Sequence, residues 1–142
     1  DMTIDQVITL ASIIQGEAAN NADMLKVSRV LQNRLANPGT YPKLECDATR
    51  KYVNDMIPGE GGGVVINKAY DTYEREGLPV GPNNNPWMAA INAVLNPSTD
   101  GTVMECYFFA TAYIDGVPTT FYSKTLKEHE RICKKYGIGM YA

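Results

Sequence analysis

The sequence has 142 residues, of which 44% are hydrophobic and 20% charged, and its formal net charge is −3. The length suits one globular domain with a real hydrophobic core, while the scattered, slightly acidic charge argues against a nucleic-acid partner. No apolar run approaches the ~20 residues that a transmembrane helix needs. The single histidine and the three cysteines match no metal-ligand spacing, so we predict no metal site and no cofactor. We interpret the cysteines as buried free thiols, with one disulfide as the alternative.

The first predicted helix carries the candidate catalytic residue. Apolar residues recur every three or four positions over residues 4–14, and Thr3 and Gln6 have the spacing of a capping box, so the helix should begin at Thr3. Glu17 falls on the same side as the apolar residues one and two turns before it. Burial there raises the pKa of a carboxyl, as a general acid working near neutral pH requires. For this segment alone, the alternative is a glutamate that simply reaches water.

The middle of the chain is predicted to be rich in loops. A second helix should span residues 22–36, and residues 41–49 have no helical period and are predicted to be extended. A mobile glycine-rich loop is predicted over residues 56–64; it lacks the Lys-Ser/Thr and the strand-turn-helix context of a phosphate-binding loop. Residues 77–86 contain too much proline, glycine and asparagine for a helix or a strand.

The C-terminal half is predicted to form a helix, a hairpin and a last helix. Residues 86–95 should be helical, with proline in the first turn. Residues 106–113 and 117–123 have the pattern of two strands joined by a tight turn, and residues 126–136 should form a helix closed by Gly137. We therefore predict a single α+β domain spanning residues 1–142. It would have four to five helices, a small antiparallel hairpin and a long Pro/Gly/Asn-rich loop.

Short motifs occur in a fixed order between about residue 10 and residue 130. They are ASIIQGE at 11–17, NRL at 33–35, LECDAT at 44–49, YDTY at 70–73, GLPVGP at 77–82, NP at 85–86, AI at 90–91, YFFA at 107–110, YSKT at 122–125 and EH at 128–129. Together these motifs resemble the YceG-like family, the endolytic murein transglycosylases of the bacterial cell envelope. The motifs between residues 70 and 91 are the most specific part of the resemblance.

The sequence departs from the usual pattern of this family at several positions, among them Gln15, Glu45-Cys46, Ala48, Thr120 and Glu130. The first motif often has two acidic residues, and here Gln15 stands at the earlier position. Glu17 is therefore the carboxylate that the resemblance assigns to catalysis. The usual Gln-Thr before the aspartate is replaced by Glu45-Cys46. These differences concern substrate detail more than the type of reaction.

The resemblance implies cleavage between N-acetylmuramic acid and N-acetylglucosamine without water. In such a reaction the C6 hydroxyl of the muramic acid attacks C1 and closes a 1,6-anhydro ring, so that one carboxyl can serve as acid and then as base. We predict Glu17 in this role. The candidate substrate-binding residues are polar or aromatic residues of the motifs: Asn33, Asp47, Thr49, Tyr70, Tyr73, Ser123 and Lys124. For Asp47 and Thr49 the alternative is to brace the chain near Glu17, and for the two tyrosines it is core packing.

The resemblance also implies partners and a location. The partners would be peptidoglycan glycan strands and cell-wall synthesis proteins, at the extracytoplasmic face of the bacterial cell membrane. Because the chain opens on Asp1 and a helix cap follows almost at once, we expect it to be part of a longer, membrane-anchored protein.

Two other functions stay open at this point. A muramidase-type hydrolase would cleave the same polymer with water and needs a second carboxylate near Glu17, for which Asp47 is the candidate. A glycan-binding or divisome-interaction module without activity would keep its binding when Glu17 is substituted. Related sequences have also carried an aminodeoxychorismate lyase label, but that activity requires a pyridoxal phosphate lysine and a phosphate site, and the sequence specifies neither.

Overall fold

The computed structural model describes residues 1–56 and 63–139. Within these residues the chain forms six helices and one two-stranded antiparallel sheet. The elements are α1 (Ile4–Glu17), α2 (Asn21–Leu35), α3 (Asp47–Met56), α4 (Gly63–Tyr70), α5 (Met88–Leu95), β1 (Phe108–Ile114), β2 (Val117–Ser123) and α6 (Leu126–Tyr136). The predicted α+β class is confirmed. Among the helices of the described residues, none has the length and apolar character needed to cross a membrane.

Helix α1 begins as its sequence predicts and then runs through the middle of the domain. The Oγ1 of Thr3 accepts the N–H of Gln6 at 3.2 Å, and the Oε1 of Gln6 accepts the N–H of Thr3 at 2.9 Å. All residues from Thr9 to Ile14 are buried. This middle part of the helix is therefore surrounded on every side, instead of exposing one polar face to water.

The hydrophobic core lies around α1, which packs against α5, α2 and α3. Burying these apolar side chains provides the main favourable free energy of folding. The core residues, each at most 5% exposed, are Leu10, Ala11, Ile13, Ile14, Met24, Val27, Leu31, Leu44, Cys46, Ala90, Ala93 and Val94.

The C-terminal hairpin and helix follow their local signals. Asp115 and Gly116 have φ values of 50° and 79°, as the tight turn between β1 and β2 requires. Gly137 closes α6 in the left-handed conformation, with φ 66°. The hydroxyl of Tyr122 donates a hydrogen bond to Asp23 Oδ1 at 2.7 Å, which ties β2 to the first turn of α2. The predicted hairpin and last helix are confirmed.

The start of α3 differs from the sequence prediction. Residues 47–49, predicted to be extended, form the first turn of α3. The extended chain ends at Cys46, whose N–H is held by Thr72 Oγ1 at 2.8 Å. Helix α3 buries only Thr49 and Val53, which is too sparse an apolar pattern to reveal a helix in the sequence.

The predicted glycine-rich loop at 56–64 lies mostly outside the described residues. Within them, Met56 ends α3, while Gly63 and Val64 belong to α4. Helix α5 begins at Met88 with Trp87 as its N-cap, so Pro86 precedes the helix instead of occupying its first turn. Residues 71–87 contain no helix or strand.

Gly16 lies where α1 approaches α3. A Cβ at this position would be only 2.8 Å from the Cβ of Ala48, which is closer than two such carbons pack. In a helix without such a contact, alanine is more stable than glycine by about 0.5–1 kcal/mol. The close contact with Ala48 therefore decides whether Gly16→Ala stabilises or destabilises the protein. We expect Gly16→Ala to lower the free energy of unfolding by about 1–3 kcal/mol, measured by urea denaturation.

Two further variants test the cause of this loss. Adding Ala48→Gly to Gly16→Ala removes one of the two crowded methyl groups and should recover part of the stability. Gly39→Ala is the matched control, because a Cβ there meets no atom within 4 Å. If Gly16→Ala were as stable as the natural protein, the close packing of α1 on α3 would be contradicted.

Candidate active site

A cleft of about 290 Å³ opens at the end of α1, beside the chain leading into α3. Strand β1 and helix α6 form its other walls. Its polar and aromatic lining residues include Glu17, Arg34, Glu45, Asp47, Tyr73, Tyr107, Phe108 and His129. Among the described residues, no three His, Cys, Asp or Glu side chains are grouped so that they could hold a metal ion.

Glu17 is the last residue of α1, and its carboxyl meets the start of α3. The N–H of Ala48, the second residue of α3, donates a hydrogen bond to Glu17 Oε1 at 2.8 Å. The first N–H groups of a helix have no partner within the helix, so a carboxyl from another helix can accept one of them. The side chain that was predicted to be catalytic also links α1 to α3.

Burial raises the pKa of Glu17 from the ordinary value of 4.5 to about 7. The negative charge of Asp47 raises the pKa further, whereas the hydrogen bond from Ala48 opposes the increase because it favours the ionised form. A carboxyl with this pKa is present in both protonation states near neutral pH. That is the condition for donating a proton and then taking one back.

The raised pKa of Glu17 has a consequence for stability. Because this carboxyl binds its proton more tightly in the folded than in the unfolded protein, its stabilising contribution is complete below about pH 4.5 and is lost as pH rises to about 7. Glu17→Gln does not ionise and keeps an oxygen for the amide of Ala48. We expect this variant to be more stable than the natural protein above pH 7, by about 1–2 kcal/mol after allowance for solvent screening.

Urea denaturation of both proteins at about pH 4, 6 and 8 measures this difference. The two should differ least at the lowest pH, and the advantage of Glu17→Gln should grow between the first and the last measurement. A difference that does not change with pH would contradict a carboxyl whose pKa is raised by burial.

Asp47 and Tyr73 lie in the same cleft as Glu17. The hydroxyl of Tyr73 donates a short hydrogen bond to Asp47 Oδ1. The guanidinium of Arg50 lies 4.3 Å from the centre of the Tyr73 ring and bonds Asp71 Oδ2 at 3.0 Å. The structure thus brings two of the predicted substrate-binding residues beside Glu17, and contact with a substrate stays a prediction for both.

Thr49 is enclosed by protein and holds the chain at the start of α3. Its Oγ1 donates to the carbonyl of Cys46 at 2.7 Å and accepts the N–H of Thr72 at 3.1 Å. The two threonine hydroxyls lie 2.9 Å apart, and both side chains are fully buried. This geometry fits the bracing alternative for Thr49, because the side chain is shielded from any ligand in the cleft.

Thr49→Val tests this bracing role. The variant keeps the shape of the side chain but leaves the N–H of Thr72 without its buried acceptor. It also removes one donor to the carbonyl of Cys46, which keeps the backbone N–H of residue 49 at 3.2 Å. We expect a loss of about 1–3 kcal/mol in the free energy of unfolding, measured by urea denaturation. Thr49→Ser keeps the hydroxyl and should lose clearly less. Equal losses in both variants would attribute the effect to packing and not to the hydrogen bonds.

The other predicted substrate-binding residues are not among the described residues that line the cleft. Asn33 Nδ2 donates to the carbonyls of Met104 and Cys106, each at 2.9 Å, and so positions the chain that enters β1. Tyr70 packs against Tyr52, with ring centres 5.0 Å apart. Their substrate-binding role stays a prediction, and their observed contacts are structural.

Ser123 and Lys124 lie at the end of β2. Ser123 is buried, with 2% of its surface exposed. Lys124 is exposed, and its Nζ pairs with Glu105 Oε2 at 3.1 Å. Neither residue lines the cleft within the described part of the chain. Contact of either one with a substrate stays a prediction.

Arg34 belongs to the NRL motif and lines the cleft, although it was not among the predicted site residues. It is only 6% exposed, and its two terminal nitrogens donate to the carbonyls of Tyr107 at 2.9 Å and Lys43 at 2.8 Å. One sequence signal could have found it: Arg34 follows Val27 and Leu31 at the helical spacing of the buried face of α2. A cation on such a face needs specific partners.

His129, a residue of α6, also lines the cleft. Its ring stacks on Phe108, with centres 5.2 Å apart. Burial and the charge of Arg34 lower the pKa of His129, so the imidazole is neutral at neutral pH. This agrees with a structural role better than with that of a proton carrier.

The Pro/Gly/Asn-rich stretch supports Glu17 from the other side of Ala48. Asn83 Nδ2 donates to the carbonyl of Ala48 at 3.2 Å, and the backbone N–H of Asn83 donates to Ser12 Oγ at 3.1 Å. Asn84 Nδ2 donates to the carbonyl of Ser12 at 2.8 Å. The stretch therefore fixes the first turn of α3 against α1.

Comparison with known proteins identifies the family. The model of the YceG-like family matches residues 1–135. The chain belongs to the YceG-like family. It is 31% identical over 139 residues to the endolytic murein transglycosylase of Bacillus subtilis, covering 95% of this chain and 35% of that protein.

A solved structure agrees with this assignment. The fold is similar to that of a yceG-like protein from Listeria monocytogenes, with a TM-score of 0.70 and 28% identity. The similarity covers 92% of this chain and 40% of that one. The chain thus spans well under half the length of both relatives.

Proposed function

We propose that this domain is a peptidoglycan lytic transglycosylase, which cleaves the bond between N-acetylmuramic acid and N-acetylglucosamine without water. This proposal depends on one observation: the carboxyl of Glu17 lines a cleft, and its pKa is raised to about 7. Two findings support peptidoglycan as the substrate and transglycosylation as the reaction: the chain belongs to the YceG-like family, and a relative is named as an endolytic murein transglycosylase.

One carboxyl is enough for this reaction because the sugar supplies the nucleophile. Protonated Glu17 gives its proton to the glycosidic oxygen as the bond from that oxygen to C1 breaks. The resulting carboxylate keeps the hydrogen bond from Ala48 at the start of α3. It then takes the proton of the C6 hydroxyl as that oxygen bonds to C1. The muramic acid ends as a 1,6-anhydro sugar, and Glu17 is again protonated.

Asp47 stands beside this reaction without exchanging a proton in it. Its carboxylate is oriented by Tyr73 and lies close enough to Glu17 to influence the pKa of that residue. A negative charge in this position would favour the oxocarbenium-like charge that develops at C1. In a muramidase-type hydrolase, the second candidate function, the same carboxylate would activate water or attack C1.

The same proposal includes the location and the partners of the whole protein. We infer that the domain acts on glycan strands at the extracytoplasmic face of the bacterial cell membrane, as part of a longer, membrane-anchored protein that works with cell-wall synthesis proteins. The share of the relatives' length that the chain spans, 35% and 40%, supports a longer parent protein.

Mass spectrometry of the products from purified peptidoglycan tests the reaction and the acid together. The natural domain should release fragments ending in 1,6-anhydromuramic acid, and Glu17→Gln should reduce their rate of formation by at least ~100-fold. Glu76→Gln is the matched control, because this exposed glutamate is not among the residues that line the cleft.

Other products would point to the alternatives. Fragments with reducing ends would show that water is the acceptor, and Asp47→Asn would then be the next variant to measure. Binding of glycan without any product, unchanged in Glu17→Gln, would favour a glycan-binding module.

A further inference from the structure

Glu45 holds an unusual backbone conformation at the edge of the cleft. Its φ of 56° is in the left-handed region, which costs about 1 kcal/mol for a residue with a side chain. The N–H of Glu45 donates to the carbonyl of Thr72 at 3.2 Å, and its neighbour Cys46 is also held by Thr72. The surrounding structure therefore imposes this conformation, which places the side chain of Glu45 in the cleft lining.

The carboxylate of Glu45 meets the one cation of the described cleft lining. Arg34 is the only lysine or arginine among those lining residues, and Glu45 Oε2 lies 3.4 Å from its Nη2. The Arg34 side chain is 7% exposed, whereas that of Glu45 is 51% exposed. A molecule entering the cleft therefore meets the carboxylate before it meets the guanidinium.

The other contacts of Arg34 are with neutral groups, which occupy its terminal N–H donors and the faces of its guanidinium. Carbonyl oxygens of Tyr107 and Lys43 accept from its terminal nitrogens, and the rings of Tyr41 and Phe108 lie 5.0 Å and 5.3 Å from its guanidinium carbon. Asp47 adds a second carboxylate to the lining, and Glu17, whose pKa is about 7, is partly ionised at neutral pH. The open side of the cleft is therefore negative at neutral pH.

We propose that Glu45 makes the cleft select glycans by charge. It disfavours muramic acid residues whose lactyl carboxyl is free and ionised, and it favours those whose carboxyl is neutralised by an amide bond, as in strands that carry peptide stems. This inference rests on the proposed function for the identity of the polymer. Its physical basis is Coulomb repulsion between two carboxylates at the edge of a protein cleft.

Binding measured without turnover tests this selectivity separately from the reaction. Two probes suffice: the N-acetylglucosaminyl-N-acetylmuramic acid disaccharide with a free carboxylate, and the same disaccharide with that carboxyl as its N-methylamide. Isothermal titration calorimetry with the Glu17→Gln protein should show that the amide binds about five- to tenfold more tightly at low salt. Added salt should reduce this ratio.

Removing the charge of Glu45 should abolish the preference. Glu45→Gln in the same background keeps an oxygen for Arg34 and should bring the two affinities to within about twofold. Glu45→Asn is a second neutral variant, since asparagine tolerates left-handed backbone well. Glu76→Gln removes the same charge from an exposed position outside the cleft lining and should leave the preference unchanged.

Three results would overturn the inference. Equal affinity for both probes in the Glu17→Gln protein would show that Glu45 does not discriminate. Tighter binding of the free carboxylate would show that Arg34 dominates the cleft. If neither probe binds, the cleft does not recognise muramic acid. The product measurement with the natural domain tests the reaction independently.

Discussion

The contact between Glu17 and Ala48 is the constraint on which the candidate site depends. It joins the last residue of the central helix to the first turn of α3, and it requires Gly16 because any side chain there would meet Ala48. The same peptide segment is held from behind, where Asn83 binds the carbonyl of Ala48. The backbone of Ala48 thus connects the carboxyl of Glu17, the first turn of α3 and the Pro/Gly/Asn-rich stretch.

The chain before Ala48 is held along its length by buried groups. Arg34 binds the carbonyl of Lys43, and Thr72 binds the N–H of Cys46 while its own N–H is held by Thr49. Between these points Glu45 adopts its left-handed conformation. Buried polar groups are costly when unpaired, so this arrangement has few alternatives of similar free energy. The result is a rigid edge that carries two carboxylates, Glu45 and Asp47, beside Glu17.

Stability and function make opposite demands on Glu17. A carboxyl in a solvated position would be ionised at neutral pH and would cost the fold nothing, but it could not donate a proton. Burial keeps the proton on Glu17 up to about pH 7 and makes its ionisation unfavourable for the folded state. If Glu17 is the proposed acid, the domain accepts a modest loss of stability at its active site, as functional sites commonly do.

The sequence by itself determined the elements whose signals lie within a few residues. The capping box of Thr3 and Gln6, the tight turn at Asp115 and Gly116 and the left-handed cap at Gly137 all depend on neighbours three or four positions away. The resemblance to the YceG-like family likewise came from the sequence, and the family match over residues 1–135 confirmed it. The choice of Glu17 as the acid combined its place on the apolar stripe with that resemblance.

Only the tertiary structure decided how the site is assembled. The start of α3 is set by a bond between residues 26 positions apart, and the partner of Glu17 is 31 positions away. Arg34 finds an acceptor 73 positions along the chain, so packing decides its place in the cleft wall, whereas its spacing along α2 indicates only that it lies on the buried face. The left-handed backbone of Glu45 has the same origin. Interactions between distant segments fix these positions because their free energy depends on packing that exists only in the folded domain.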